Sequence, residues 1–264
     1  MVVDNRLFSY SDHKPSSEAK ISHKGSSQRV MASRNEASTG TVLFFHEEVV
    51  RVGETLKVHF LRAMRTPLGL LPRDVADSIP FTTSELPDTF ARFGIAARSV
   101  PAFNIQETLG MCEAPPVAKE AKFCATSLEA LVEGAIAALG TRDIRPVTST
   151  LPRSGAPLQA YTIRAVRPID RSSFVACHSG YYPYTVYMCH DTGDVRAYMA
   201  DMEGANGGGK LTLAFVCHTD TSLWNPEHVS FKQLGTKPGG KPVCHYMPYG
   251  HLMFAKNNAI RASA

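Results

Sequence analysis

No apolar run in the chain approaches the ~20 residues that a membrane helix needs, so neither a helical span nor a membrane partner is expected. The N-terminus, Met1-Val-Val-Asp-Asn-Arg6, lacks the apolar core of a secretory signal. That leaves two readings: a cytosolic protein, or a mature chain whose signal has been removed. No Asn-x-Ser/Thr acceptor occurs, so glycosylation is no guide to the compartment. Neither a Cys-x2-Cys nor a His-x3-His spacing is present, which removes the ligand spacings usual for structural zinc. Excess charge is also scarce. The 28 Lys and Arg against 24 Asp and Glu leave a formal +4, and the basic residues are scattered, so no nucleic-acid surface is expected.

What is present is an ordinary globular composition, 44% hydrophobic and 20% charged over 264 residues, and one unusual pattern. The stretch Cys177-His-Ser-Gly-Tyr-Tyr-Pro-Tyr-Thr-Val-Tyr-Met-Cys-His190 opens and closes on Cys-His, and the dipeptide returns at Cys217-His218 and Cys244-His245. The intervals are 10, 26 and 25 residues. Four of only six cysteines are thus followed at once by one of ten histidines, which chance would almost never produce. The even cysteine count permits complete pairing, with 15 connectivities.

Residues 1–40 are polar and Ser/Lys-rich and read as a disordered tail, and 257–264 as a short C-terminal tail around a folded region at 41–256. Thr41–Phe45 and Leu56–Phe60 read as a pair of strands. Leu71–Pro80 and Leu86–Phe93 read as short helices, the second closed by Gly94, and Val100–Met111 as a third. The clearest helix covers Ser127–Leu139, with Thr126 and Glu129 as a capping box and Gly140 as its stop. Beyond Leu158 the pattern is strand-like: Tyr161–Val166, Ser173–Cys177, Thr185–Cys189, Val195–Met199 and Leu211–Val216. Turns are expected at Gly180–Pro183 and Gly207–Gly209, and Val229–Leu234 and Val243–Met247 are further short strand candidates. Helices in the first half and strands in the second predict an α+β fold, with an antiparallel sheet carrying the four Cys-His pairs and stapled by disulfides.

Each Cys-His pair lies in or at the end of a strand, where successive side chains point to opposite faces. The geometry therefore favours separate jobs, thiols pairing on a covered face and imidazoles converging on the other. Three readings compete: a zinc site of cysteines or mixed ligands, a disulfide frame with incidental histidines, or disulfides plus a histidine-lined metal site in an oxidising compartment. The third leads, because all-imidazole ligation suits copper or zinc and locked cysteines do not compete for the metal. His228 and His251 follow closely enough to extend such a site to six imidazoles, although each singly suits an ordinary hydrogen-bonded role. His13, His23 and His46 read as solvated, and His59 as either core or site. Asp220 reads as an imidazole partner or a turn former. Tyr181, Tyr182, Tyr184 and Tyr187 read first as hairpin packing around Pro183, and second as a wall beside a metal.

The four-pair spacing resembles the signature of the plant BURP domain. So do Phe44-Phe45, Leu71-Pro-Arg-Asp-Val-Ala-Asp-Ser-Ile-Pro-Phe81, Cys124-Ala-Thr-Ser-Leu-Glu129, Tyr182-Pro-Tyr184, and Cys217-His-Thr-Asp-Thr-Ser222 with Trp224-Asn-Pro226. The resemblance covers about 41–256, and it is most pronounced toward the copper-dependent BURP peptide cyclases, which join a Tyr oxygen or a Trp ring atom to an unactivated carbon of a ribosomal peptide. It implies His178, His190, His218 and His245 as copper ligands, with His228 and His251 matching further family histidines. It implies a Cys112–Cys124 disulfide and two more bridges among the motif cysteines. In self-processing members the core peptide lies in the chain's own N-terminal region, which here marks Leu7–Tyr10, with Tyr10 the residue to be crosslinked. No repeated cores are visible and the tail lacks Trp, so a separate precursor peptide is the other substrate.

The expectation is a protein of the secretory pathway, vacuole or cell wall that uses one or two copper ions and molecular oxygen to crosslink a peptide. The rival is a non-catalytic secreted cell-wall protein similar to the non-catalytic polygalacturonase subunit.

Overall fold

The computed structural model describes residues 44–60, 69–116, 121–152, 155–169, 173–205 and 209–257. The expected tail over 1–40, with Tyr10, His13 and His23, lies outside the described residues, as do 258–264 and Gly207 and Gly208 of the expected turn. The chain enters the fold at β1 (Phe44–His46) and continues through a short 3-10 turn, Glu47–Val49, to β2 (Thr55–Phe60). Three helices follow, α1 (Arg73–Asp77), α2 (Leu86–Phe93) and α3 (Val100–Glu113). After them come β3 (Lys122–Ala125), α4 (Leu128–Leu139) and β4 (Ile144–Val147). The second half is β5 (Ala156–Ile169), β6 (Val175–Gly180), β7 (Val186–Asp191), β8 (Val195–Gly204) and β9 (Lys210–His218), then α5 (Val229–Leu234), β10 (Val243–Tyr246) and β11 (Leu252–Lys256). The expected α+β class holds, with helices gathered early and antiparallel strands dominating the later half.

The strands form two sheets rather than one. A six-stranded sheet has the order β1-β10-β9-β8-β5-β2, and a five-stranded sheet has the order β3-β7-β6-β11-β4. The pair of strands expected near the start is therefore split between opposite edges of the larger sheet. Buried Val147, Phe174, Ala197, Ala214, Val216, Met253 and Ala255 form one core between faces of the two sheets. On the far side of the smaller sheet, Leu131, Ala135 and Leu139 of α4 cover Val175, Cys177, Tyr187 and Cys189.

Local sequence explains most helix ends. Ser99 caps α3, its hydroxyl accepting the Ala102 N–H at 3.2 Å. Gly94 and Gly140 take the left-handed conformation that ends α2 and α4. Two expectations are corrected. The cap of α4 is Ser127, which accepts the Ala130 N–H at 3.1 Å, so Thr126 and Glu129 are one residue out of phase for a capping box. Val229–Leu234 is a helix, not a strand, because His228 caps its start and Gly235, at φ 62°, closes it.

Candidate metal centre

The motif cysteines form two bridges, each joining residues directly opposite on neighbouring strands. Cys177–Cys189 joins β6 to β7 and Cys217–Cys244 joins β9 to β10. Cys112–Cys124 ties the end of α3 to β3, and no cysteine is free. All four motif sulfurs are fully buried on the covered faces. Strand alternation then turns the next residue, the histidine, to the opposite face. Each histidine lies one step beyond its cysteine, so each antiparallel pair of strands sets two imidazoles diagonally on one face.

The two pairs repeat the same geometry in different sheets. The rings of His178 and His190 are stacked, 5.4 Å apart at 18°, with Nε2 atoms 3.3 Å apart. The rings of His218 and His245 are stacked at 5.5 Å and 23°, and their Nε2 atoms are again 3.3 Å apart. His251 joins the first pair, its Nδ1 lying 3.0 Å from His178 Nδ1. Its loop is pinned by Thr148, whose hydroxyl donates to the His251 carbonyl at 2.8 Å. Protonation of His178 is opposed by His245 and His218 as well as by His251 and His190, so the two sheets bring both pairs into one electrostatic neighbourhood. His190, His245 and His251 are 7, 8 and 7% exposed, while His178 and His218 remain half-buried. The cluster therefore meets solvent at His178 and His218.

Burial holds all of these imidazoles below the ordinary histidine range. His178 and His218 lie well below it, mainly through desolvation and also through neighbouring imidazoles. His190 is lowered by burial, while His245 and His251 are both pushed to about 4. At neutral pH each ring is uncharged, with one N–H and one lone pair. His190 Nδ1 is 2.8 Å from the Asp191 carbonyl oxygen, and His245 Nδ1 is 3.2 Å from the Tyr246 carbonyl oxygen. A carbonyl only accepts, so in both rings Nδ1 carries the proton and the Nε2 lone pair points at the partner imidazole. This backbone-fixed tautomer is the arrangement expected of a metal-ligating histidine.

The donor set fits an ion held by paired imidazoles. Two nitrogens each about 2.0–2.1 Å from one ion, at ordinary coordination angles, stand roughly 2.8–3.4 Å apart, and both Nε2 pairs lie in that range. A shared N–H proton fills the same gap in the metal-free protein. The fit is pairwise: among the described residues, no group of three or more His, Cys, Asp or Glu is arranged to close around one ion.

The remaining sequence candidates fall in different places. His228 sits beside the second pair, with its ring 4.9 Å from Trp224 and 5.7 Å from Phe44. Asp220 is a turn former, accepting the Ser222 N–H at 2.8 Å. His59 is exposed on edge strand β2, and His46 lies 3.2 Å from the Pro242 carbonyl. Tyr182 and Tyr184 pack with Ile79, Ile105 and Leu109 of the helical region, and Tyr187 lies in the α4 core. The aromatic wall beside the histidines is instead Trp224, at 4.9 Å from His218, and Phe44, at 6.3 Å from His245. Sequence reasoning gave neither residue a role at the site. Phe44 is 201 positions from His245 and becomes its neighbour only through the β1–β10 register.

A family profile described as BURP domain matches residues 43–256. The chain is 65% identical to Protein RAFTIN 1A of Triticum aestivum over 228 residues, which is 86% of this chain and 58% of that protein. It is 58% identical to BURP domain-containing protein 13 of Oryza sativa subsp. japonica over 259 residues, 96% of this chain and 61% of the relative. BURP domain protein RD22 of Arabidopsis thaliana is 37% identical over 216 residues, 80% of this chain and 55% of its own length. The chain thus spans less than two thirds of the length of these relatives. With the four Cys-His pairs inside the matched region and two of the disulfides built from them, the chain belongs to the plant BURP-domain family.

Proposed function

We propose that the chain is a copper- and oxygen-dependent oxidative peptide cyclase that forms a side-chain crosslink between a Tyr oxygen, or a Trp ring atom, and an unactivated carbon. The observation that carries this reading is the duplicated imidazole pair, His178/His190 and His218/His245, with Nε2 atoms 3.3 Å apart in each sheet. Neutral imidazoles without thiolates suit copper, and every cysteine is locked in a disulfide. In this reading the four motif histidines hold one or two copper ions and His251 extends the first pair. Bound copper, with molecular oxygen as terminal oxidant, supplies oxidising power that no ordinary side chain has. The reaction removes one hydrogen from each joined atom, and oxygen takes up the two electrons and two protons.

The protein's own residues do the rest. The Asp191 and Tyr246 carbonyls fix the tautomers of His190 and His245, and the disulfides fix the strand register beneath them. Trp224 and Phe44 give one side of the site an apolar wall that limits water and suits an aromatic side chain. The substrate of this reading is a peptide with an aromatic residue to be crosslinked, either the chain's own N-terminal region at Tyr10 or a separate precursor. Three disulfides point to a secreted or extracellular setting, and no described helix is long and apolar enough to cross a membrane. Vacuole and cell wall are the compartments proposed.

A second reading, in which the imidazoles only share protons and the protein is a non-catalytic cell-wall module, is motivated by the lack, among the described residues, of a group of three or more ligands closing around one ion. Copper titration of the native protein, His178→Ala and His218→Ala separates the two. The cyclase reading expects tight copper binding that each substitution weakens at least tenfold. A native protein without copper affinity contradicts it.

A further inference from the structure

Among the six clustered histidines, one has its hydrogen bonding reversed. His228 is the N-cap of α5, and its Nδ1 accepts the Ser230 backbone N–H at 3.3 Å. A backbone N–H only donates, so Nδ1 supplies a lone pair there, and the Ser230 hydroxyl at 2.7 Å faces the same nitrogen. A neutral imidazole has one lone pair to offer, so the ring proton of His228 sits on Nε2. His190 and His245 are the opposite: their Nδ1 atoms face carbonyl oxygens and leave Nε2 as the donor atom for an ion.

We propose that His228 stays outside the metal set and is a positioning residue, capping α5 through Nδ1, presenting an Nε2–H donor beside the site, and holding Trp224 against His218. This rests on the metal reading above, which it deepens by separating a ligand from its support. The Trp224 indole stands between the two imidazoles, 4.9 Å from His218 at 64° and 4.9 Å from His228 at 57°. Phe231 of α5 completes the cluster, 6.0 Å from Trp224 in a tilted contact and 6.1 Å from His228 edge-on. Ligation by the His228 Nε2 would require the proton to move to Nδ1, which would then donate to the Ser230 hydroxyl and no longer accept the Ser230 N–H, so α5 would lose that cap bond. A cap built from imidazole is unusual, since Ser, Thr, Asp and Asn are the common choices. The second function, the face toward Trp224, is what those shorter side chains lack.

The test uses the whole chain in three measurements. Ring 15N–1H spectra of metal-free, 15N-histidine-labelled protein at pH 7.5 should place the His228 proton on Nε2 and the His190 and His245 protons on Nδ1. A His228 proton on Nδ1 overturns the proposal. Metal-free melting should show His228→Asn within ~2 °C of the native protein, because Asn also accepts the Ser230 N–H, and His228→Ala lower by roughly 4 °C. Equal losses in both overturn the capping role. Copper titration should give native stoichiometry for His228→Asn, with affinity reduced less than threefold, while His218→Asn loses at least tenfold. A stoichiometric loss in His228→Asn makes His228 a ligand and overturns the proposal. Absence of copper binding by the native chain overturns the preceding reading instead, and the first two measurements still decide the cap.

Discussion

Cys217 and Cys244 stand directly opposite each other on β9 and β10, and that register sets His218 and His245 diagonally across the other face with Nε2 atoms 3.3 Å apart. The disulfide on the covered face and the imidazole pair on the inner face are two consequences of one strand alignment. Cys177 and Cys189 do the same for His178 and His190. Replacing both Cys217 and Cys244 by Ser should therefore lower stability by about 2–4 kcal/mol and weaken copper binding at the His218/His245 pair. Denaturant unfolding and copper titration of the double variant check both effects. Unchanged copper affinity in a destabilised variant would show that the register does not depend on the bridge.

The buried imidazoles also set a pH dependence. His245 and His251 are held at about 4 in the fold, against about 6.5 in an unfolded chain. Between those values the unfolded state binds protons that the folded state refuses, so stability is full above about pH 6.5 and falls toward pH 4. Lowered carboxylates such as Glu47 and Asp201 add acid sensitivity only nearer their own, lower ranges. Denaturation midpoints of metal-free protein should already drop between pH 6.5 and 5, and less steeply in His245→Asn. A flat profile over that interval would contradict the buried neutral cluster.

The strand that carries Phe44 is held by charge. Glu47, just beyond β1, accepts from the Arg196 guanidinium and the Tyr198 hydroxyl of β8, which holds its carboxyl below the usual range, while burial and then this hydrogen bond push the Tyr198 phenol up to about 12. Glu47→Gln should cost about 1 kcal/mol. It should also loosen β1, read as faster amide exchange at Phe45 and His46, with no change at β7.

Gly134 marks a close approach of α4 to β3. A Cβ there would lie 2.2 Å from Cε2 of the Phe123 ring, so the ring or the helix must move. Gly134→Ala should lose about 1–3 kcal/mol despite the higher helix propensity of Ala. A stabilised variant would show that Phe123 can swing aside freely.

The separation of thiols from imidazoles was legible because strand alternation is a local rule, so adjacent Cys and His must face apart. Which cysteines pair and which imidazoles meet was not, because that depends on the β6–β7 and β9–β10 registers. The β1 and β2 edges were not legible, because sequence neighbours in this sheet are separated by four intervening strands. The helix at Val229–Leu234 was hidden by its short apolar pattern and by a histidine cap, although Gly235 was the available stop signal. The α4 cap was misplaced by one residue because Thr126 and Ser127 are both capable hydroxyls, and only backbone geometry selects between them. Trp224 and Phe44 reach the site through tertiary packing alone.

The most direct test of the central claim is the intact mass of the full chain, with peptide mapping of its N-terminal segment, after copper loading in air. The cyclase account predicts an oxygen-dependent loss of two hydrogens from a Tyr-containing peptide, in this chain at Tyr10 or in an added precursor, abolished by His178→Ala or His218→Ala. An unchanged mass for every such peptide, in a protein shown to bind copper, would contradict it.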